Sequence, residues 1–104
     1  MAYSKVKYVG AALADESVRE TYDRFVADLY TVIFAKKSVQ DAWHRIVRAE
    51  GQPDSIAAAI TAATALYRQA LTDYPTEVPN SITAVFRRNK VETKAIEREQ
   101  TRPQ

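Results

Sequence analysis

Apolar residues between Val18 and Ile33 fall at Val18, Tyr22, Phe25, Val26, Leu29, Val32 and Ile33, the alternating three- and four-residue spacing of one helical face. Asp15 stands just before this run and suits an N-cap, so the pattern predicts a helix opening at residue 15 or 16. The same spacing continues at positions 36, 39, 43 and 46, but position 36 is a lysine and "SVQDAW" places Asp41 three residues after Ser38 in the manner of a capping box. Two readings follow: one long helix to Glu50, or two helices with a break near Lys37.

Gly51 and the "QPD" behind it end this region, since glycine suits a C-terminal cap and Pro53 starts a helix better than it continues one. A third helix then carries Ile56, Ala59, Ile60, Ala63, Leu66, Tyr67, Ala70 and Leu71 on its inner stripe. "YPTEVPN", with Pro75 and Pro79, reads as a stiff connector, and Asn80 or Ser81 as the cap of a last helix running to about Glu99. The N-terminal "SKVKYV" alternates weakly, as a short strand or an extended arm would. The expected architecture is all-α: a compact bundle of four to five helices in a single domain over 1–104, with residues 1–14 as an arm and 100–104 frayed.

Composition agrees with that class. Two glycines and four prolines in 104 residues leave little material for hairpins, and 46 % apolar residues can build one core. No cysteine is present, which removes disulfides, a thiol nucleophile and Cys-based zinc or iron–sulfur sites. With no apolar run long enough to span a bilayer and no signal-peptide pattern at the start, the chain is expected to be soluble and cytoplasmic, with no membrane partner. No phosphate-cradling or nucleophile-elbow string occurs, the two glycines standing at positions 10 and 51, so no enzyme, cofactor, metal site or small-molecule substrate is expected. His44, the one histidine, has Asp41 three residues before it but no nucleophile to serve. It is expected on a solvated helix surface.

Charge distribution says more than the net charge of +2. The segment sums alternate in sign: +2 over 1–14, −3 over 15–35, +2 over 36–50, −2 over 51–81 and +3 over 82–104. On one continuous helix, Ile82, Val85, Phe86, Asn89, Thr93 and Ile96 share one side while Arg87, Lys90, Lys94 and Arg98 share the other. Such a stripe would be roughly 16 Å long, enough for several phosphates. Like charges four residues apart repel by about 0.2–0.5 kcal/mol per pair, which an external anion would relieve. Arg87, Arg88, Lys90, Lys94 and Arg98 are therefore the candidate nucleic-acid-binding residues, with Lys36, Lys37, Arg45 and Arg48 as an extension of the same surface. No cluster of base-reading side chains accompanies them, so the expected contact is to phosphate, without sequence specificity.

Tyr30 and Phe34 lie four residues apart and off the Val18–Leu29 stripe, making the first helix apolar on two sides. Either that helix runs through the middle of the bundle, or the two rings form an interface with a protein partner or a second copy. In size, helicity and basic stripes the chain resembles the small helical subunits of CRISPR surveillance complexes, which stack as a belt and hold nucleic-acid strands by charge; no motif underlies the likeness. It implies a non-catalytic subunit of a nucleoprotein complex. The alternative is a helical protein–protein interaction module, such as a phage virion or connector component or a small inhibitor protein, working through Tyr30 and Phe34.

Overall fold

The computed structural model describes residues 16–101, and the expected N-terminal arm, the Asp15 cap and the last three residues lie outside that range. Five helices occupy the described chain, with no strand among the described residues: α1 (Glu16–Ile33), α2 (Lys37–Glu50), α3 (Ile56–Asp73), α4 (Val78–Arg88) and α5 (Lys94–Gln100). The all-α bundle expected from the sequence is the fold observed.

The first four helices run alternately up and down. α2 returns along α1, bringing the Trp43 ring to 5.9 Å from Tyr30, and past its end the Pro53 carbonyl accepts from the Tyr22 hydroxyl at 3.0 Å. α3 turns back again, so that Tyr74, just beyond its C-terminus, donates to the Ser38 carbonyl at the start of α2 at 3.0 Å. α4 closes against α1, with Phe25 and Phe86 edge to face at 5.1 Å. Such a pair adds about 0.5–1.5 kcal/mol to what burial alone contributes. α5 lies along α3, tied by Arg68 to Glu99 and by Gln100 to the Tyr67 hydroxyl.

The element that packs on all four others is α3, not α1. Its buried residues, Ala59, Ala62, Ala63, Thr64, Leu66, Tyr67 and Ala70, cover about half of the helix circumference, opposite the exposed Thr61, Arg68 and Thr72. Alanines let neighbouring backbones approach closely, and Thr64 can be enclosed because its hydroxyl donates to the Ile60 carbonyl at 2.7 Å. Leu71, expected inside, is 38 % exposed. The α1 stripe lies inward as its spacing predicts, with Phe25, Leu29 and Ile33 fully enclosed.

Helix ends account for the remaining differences. α1 and α2 are separate, but the cap is not the Ser38 box: Lys36 holds the N-cap position with extended backbone and no side-chain bond, and Ser38 lies inside the helix. Asp41 instead accepts from Lys37 at 3.0 Å. Gly51 closes α2 at φ 90, its N–H bonding the Val47 carbonyl at 2.7 Å, and Ser55 caps α3 by accepting from the Ala58 N–H at 3.2 Å. α3 stops at Tyr74 because Pro75 disfavours a helical residue before it.

The connector expected from Tyr74 to Asn80 is shorter than its prolines suggested. α4 already begins at Val78, with Pro79 in its first turn, where the missing N–H costs no helical bond. Both residues are buried, so packing draws the first turn inward. The larger correction concerns the last helix. A continuous helix to Glu99 does not form: α4 ends at Arg88, and α5 begins only at Lys94.

Candidate nucleic-acid interface

The break between α4 and α5 has an identifiable cause. On a continuous helix Val91 would fall at the edge of the cationic stripe, beside Arg98 and facing solvent. Breaking the helix turns it inward, where it retains only 9 % of its exposure. Asn89, 5 % exposed, stabilises the same turn by donating from Nδ2 to the Val85 carbonyl at 2.9 Å and to Asp28 Oδ2 of α1 at 2.8 Å. Asp28 is thus engaged across the bundle.

The turn itself is a Schellman motif. Val91 N–H donates to the Phe86 carbonyl at 2.9 Å and Lys90 N–H to the Arg87 carbonyl at 3.1 Å, the six-to-one and five-to-two bonds of that cap, with the buried side chains of Val91 and Phe86 beneath. Its left-handed position belongs to Lys90, at φ 56 the one non-glycine residue with positive φ among those described. Glycine usually fills this place, since the left-handed conformation costs an L-residue roughly 1–2 kcal/mol.

Four of the predicted cations meet here. Arg87, Arg88, Lys90 and Lys94 are all exposed on the turn and its two flanks. Arg88 Nε donates to Asp28 Oδ2 at 3.4 Å with its side chain still 57 % exposed, so the pair is long and well solvated. Lys94 Nζ is 3.9 Å from Glu92 Oε1, both side chains more than three-quarters exposed. Such a contact contributes little. Neither Arg87 nor Lys90 forms an ion pair within the described residues.

The other candidates lie elsewhere. Arg98 borders a groove of about 330 Å³ between α3 and α5, beside Thr61, Thr64, Arg68 and Glu99. Arg68 binds Glu99 through two parallel bonds of 2.9 and 2.8 Å. That hydrogen bond raises the already high pKa of Arg68, partly opposed by burial, so the guanidinium is charged at every working pH. Lys36 borders an apolar groove of about 230 Å³ with Val32, Val39, Glu77 and Val78, at the opposite end of α4 from Lys90. Lys37 pairs with Asp41, and Arg45 and Arg48 are exposed on α2, which packs on α1 and α3. The nine predicted cations therefore form one cluster at the α4–α5 turn and several outlying positions, not one stripe.

Tyr30 and Phe34 part company. Tyr30 is half-buried: its ring packs on Trp43, and its hydroxyl accepts from Gln52 Nε2 at 2.8 Å. Phe34, one residue past the end of α1, is 52 % exposed. His44 is exposed as expected, and the Asp41 that might have oriented it is bound to Lys37.

Sequence reasoning missed Asn89 and Val91 as the residues that shape this site. The signal was present: a lone valine inside a run of cations is out of place on a wet helix face. Compared with protein-family models, curated proteins and solved structures, the chain finds no match in any of the three.

Proposed function

We propose that this chain is a non-catalytic helical subunit of a larger cytoplasmic assembly that contacts nucleic-acid phosphates through the α4–α5 turn, without reading base sequence. The observation that carries this reading is the exposed trio Arg87, Lys90 and Lys94, with Lys90 held in a conformation that glycine would adopt more easily. Backbone strain kept where a cheaper residue exists supports a use for the side chain. Cations without strong ion pairs exchange their counterions for phosphate at small desolvation cost, and the released ions drive binding. Sequence reading is not expected, because Asn89, the amide side chain of the turn, is buried and engaged by Val85 and Asp28.

Replacing Arg87, Lys90 and Lys94 together with Glu tests the reading. All three are exposed, so the fold should persist. Binding to generic single- and double-stranded nucleic acid should be abolished at moderate salt. Any residual log K against log salt plot should be flatter by roughly 2 to 3, about 0.7–0.9 for each lost phosphate contact. An unchanged affinity and slope would overturn the reading. The protein-interaction alternative draws on the apolar groove formed by Val32, Ala35, Val39 and Val78, which could admit a partner's side chain; it predicts assembly that the triple substitution leaves intact and no affinity for nucleic acid.

A further inference from the structure

We infer that Phe34 is a stacking platform for a nucleobase of a single strand, an inference that rests on the nucleic-acid reading above and narrows it to unpaired strands. The chain has three phenylalanines, and Phe25 and Phe86 are fully buried while Phe34 is 52 % exposed. Exposure does not leave the ring loose. Phe34 lies 5.4 Å from the Tyr30 ring at an interplanar angle of 52°, and Tyr30 is fixed in turn by Trp43 at 5.9 Å and by Gln52 at 2.8 Å. The Phe34 N–H also bonds the Tyr30 carbonyl at 2.9 Å, continuing the helix by one residue beneath the ring. An aromatic side chain supported from below and open above is ready to stack without first being ordered.

Its surroundings choose the occupant. Lys36 and Lys37 follow in the same turn, both exposed, and no acidic residue occurs between Leu29 and Gln40. Lys37 does touch Asp41, and Glu77 shares the nearby groove with Lys36. The Lys37 pair is 81 % and 49 % exposed on its two sides, weak enough to yield to a phosphate. Proteins that hold single strands combine such cations with aromatic faces on which bases stack, a contact every base can make. A stable protein interface instead centres on a contiguous apolar patch. Phe34 and Leu71 are the two large apolar side chains exposed among the described residues, and they sit on different elements, the α1–α2 turn and α3. A duplex keeps its bases stacked internally and offers Phe34 nothing, so the ring should favour unpaired strands.

The test compares Phe34→Leu with Phe34→Trp by fluorescence anisotropy on a labelled oligothymidylate strand and on a duplex of equal length, with circular dichroism to verify folding. Leucine keeps an apolar surface and removes the π-face; tryptophan keeps and enlarges it. Phe34→Leu should weaken single-strand binding by about 5- to 150-fold, the range seen when one base–aromatic stack is lost, and change duplex binding by less than about twofold. Phe34→Trp should bind the strand at least as tightly as the parent. Equal losses on strand and duplex, equal behaviour of the two variants, or no loss with Phe34→Leu would each overturn the inference and leave the phosphate reading standing. Failure of the unaltered protein to bind either nucleic acid would overturn both.

Discussion

Two helices end in residues with positive φ, and they do so differently. α2 ends at Gly51, at φ 90 and ψ 161, a region that is essentially glycine's alone. α4 ends two residues before Lys90, at φ 56, the left-handed helical region that an L-residue can enter at a cost. The first turn uses glycine because nothing else fits its backbone. The second tolerates a lysine where glycine would fit better. If the proposed phosphate contact holds, the difference separates a position set by folding from one where a side chain serves another purpose, here a cation beside Arg87 and Lys94.

The turns also differ in what holds them. Nothing lies within 4 Å of where a Cβ on Gly51 would be, so its constraint is conformational and not one of space. The Lys90 turn is held from below by Phe86, Val91 and the Asn89–Asp28 bond. Phe86→Ala should therefore have the largest effect, removing the staple under Lys90 and half of the Phe25–Phe86 pair. Its expected cost is about 3–5 kcal/mol in chemical denaturation, enough to unfold a domain this small at moderate temperature. Gly51→Ala should cost less, about 1–3 kcal/mol, all of it backbone strain. A loss under about 0.5 kcal/mol would mean that the loop relaxes and that the two turns are not so different. Lys90→Gly should act in the opposite direction, stabilising by about 0.5–1 kcal/mol once the greater freedom of glycine in the unfolded chain is offset against relief of strain. That gain corresponds to a rise in Tm of a few degrees, roughly 2–8 °C.

Much of the fold was legible because its helices declare themselves locally. The spacing of Phe25, Leu29 and Ile33 marked α1 and Gly51 marked the end of α2, whereas the next helix is capped by Ser55, two residues past the Pro53 that the sequence offered as its start. α3 was legible as a helix but not as the hub, because alanines such as Ala59, Ala62, Ala63 and Ala70 do not announce how wide the buried face is. The ending of α4 was legible only in part: Val91 among cations hinted at it, but the bond that Asp28 accepts from Asn89, sixty-one residues later, is encoded by no local pattern. The candidate cations were individually visible in the sequence. Their grouping was not, since projecting them on one helix placed Arg98 in line with Lys90, whereas the turn leaves Arg98 on the α3–α5 groove. Phe34 and Tyr30 read as one pair; their rings do meet, but Trp43 and Gln52, both from beyond the α1–α2 turn, half-bury Tyr30 and leave Phe34 as the exposed member.

Lys90→Gly offers the most direct test of the central claim, that the α4–α5 turn keeps a strained lysine because its charge binds phosphate. Nucleic-acid affinity of the parent and of Lys90→Gly would be titrated across a range of salt, beside thermal denaturation of both. The account predicts a variant that melts higher yet binds less tightly, with a log K against log salt slope flatter by roughly 0.7–0.9, the increment for one phosphate contact. A variant that melts higher and binds with the parent's affinity and slope would contradict it, leaving Lys90 a strained residue on a wet surface.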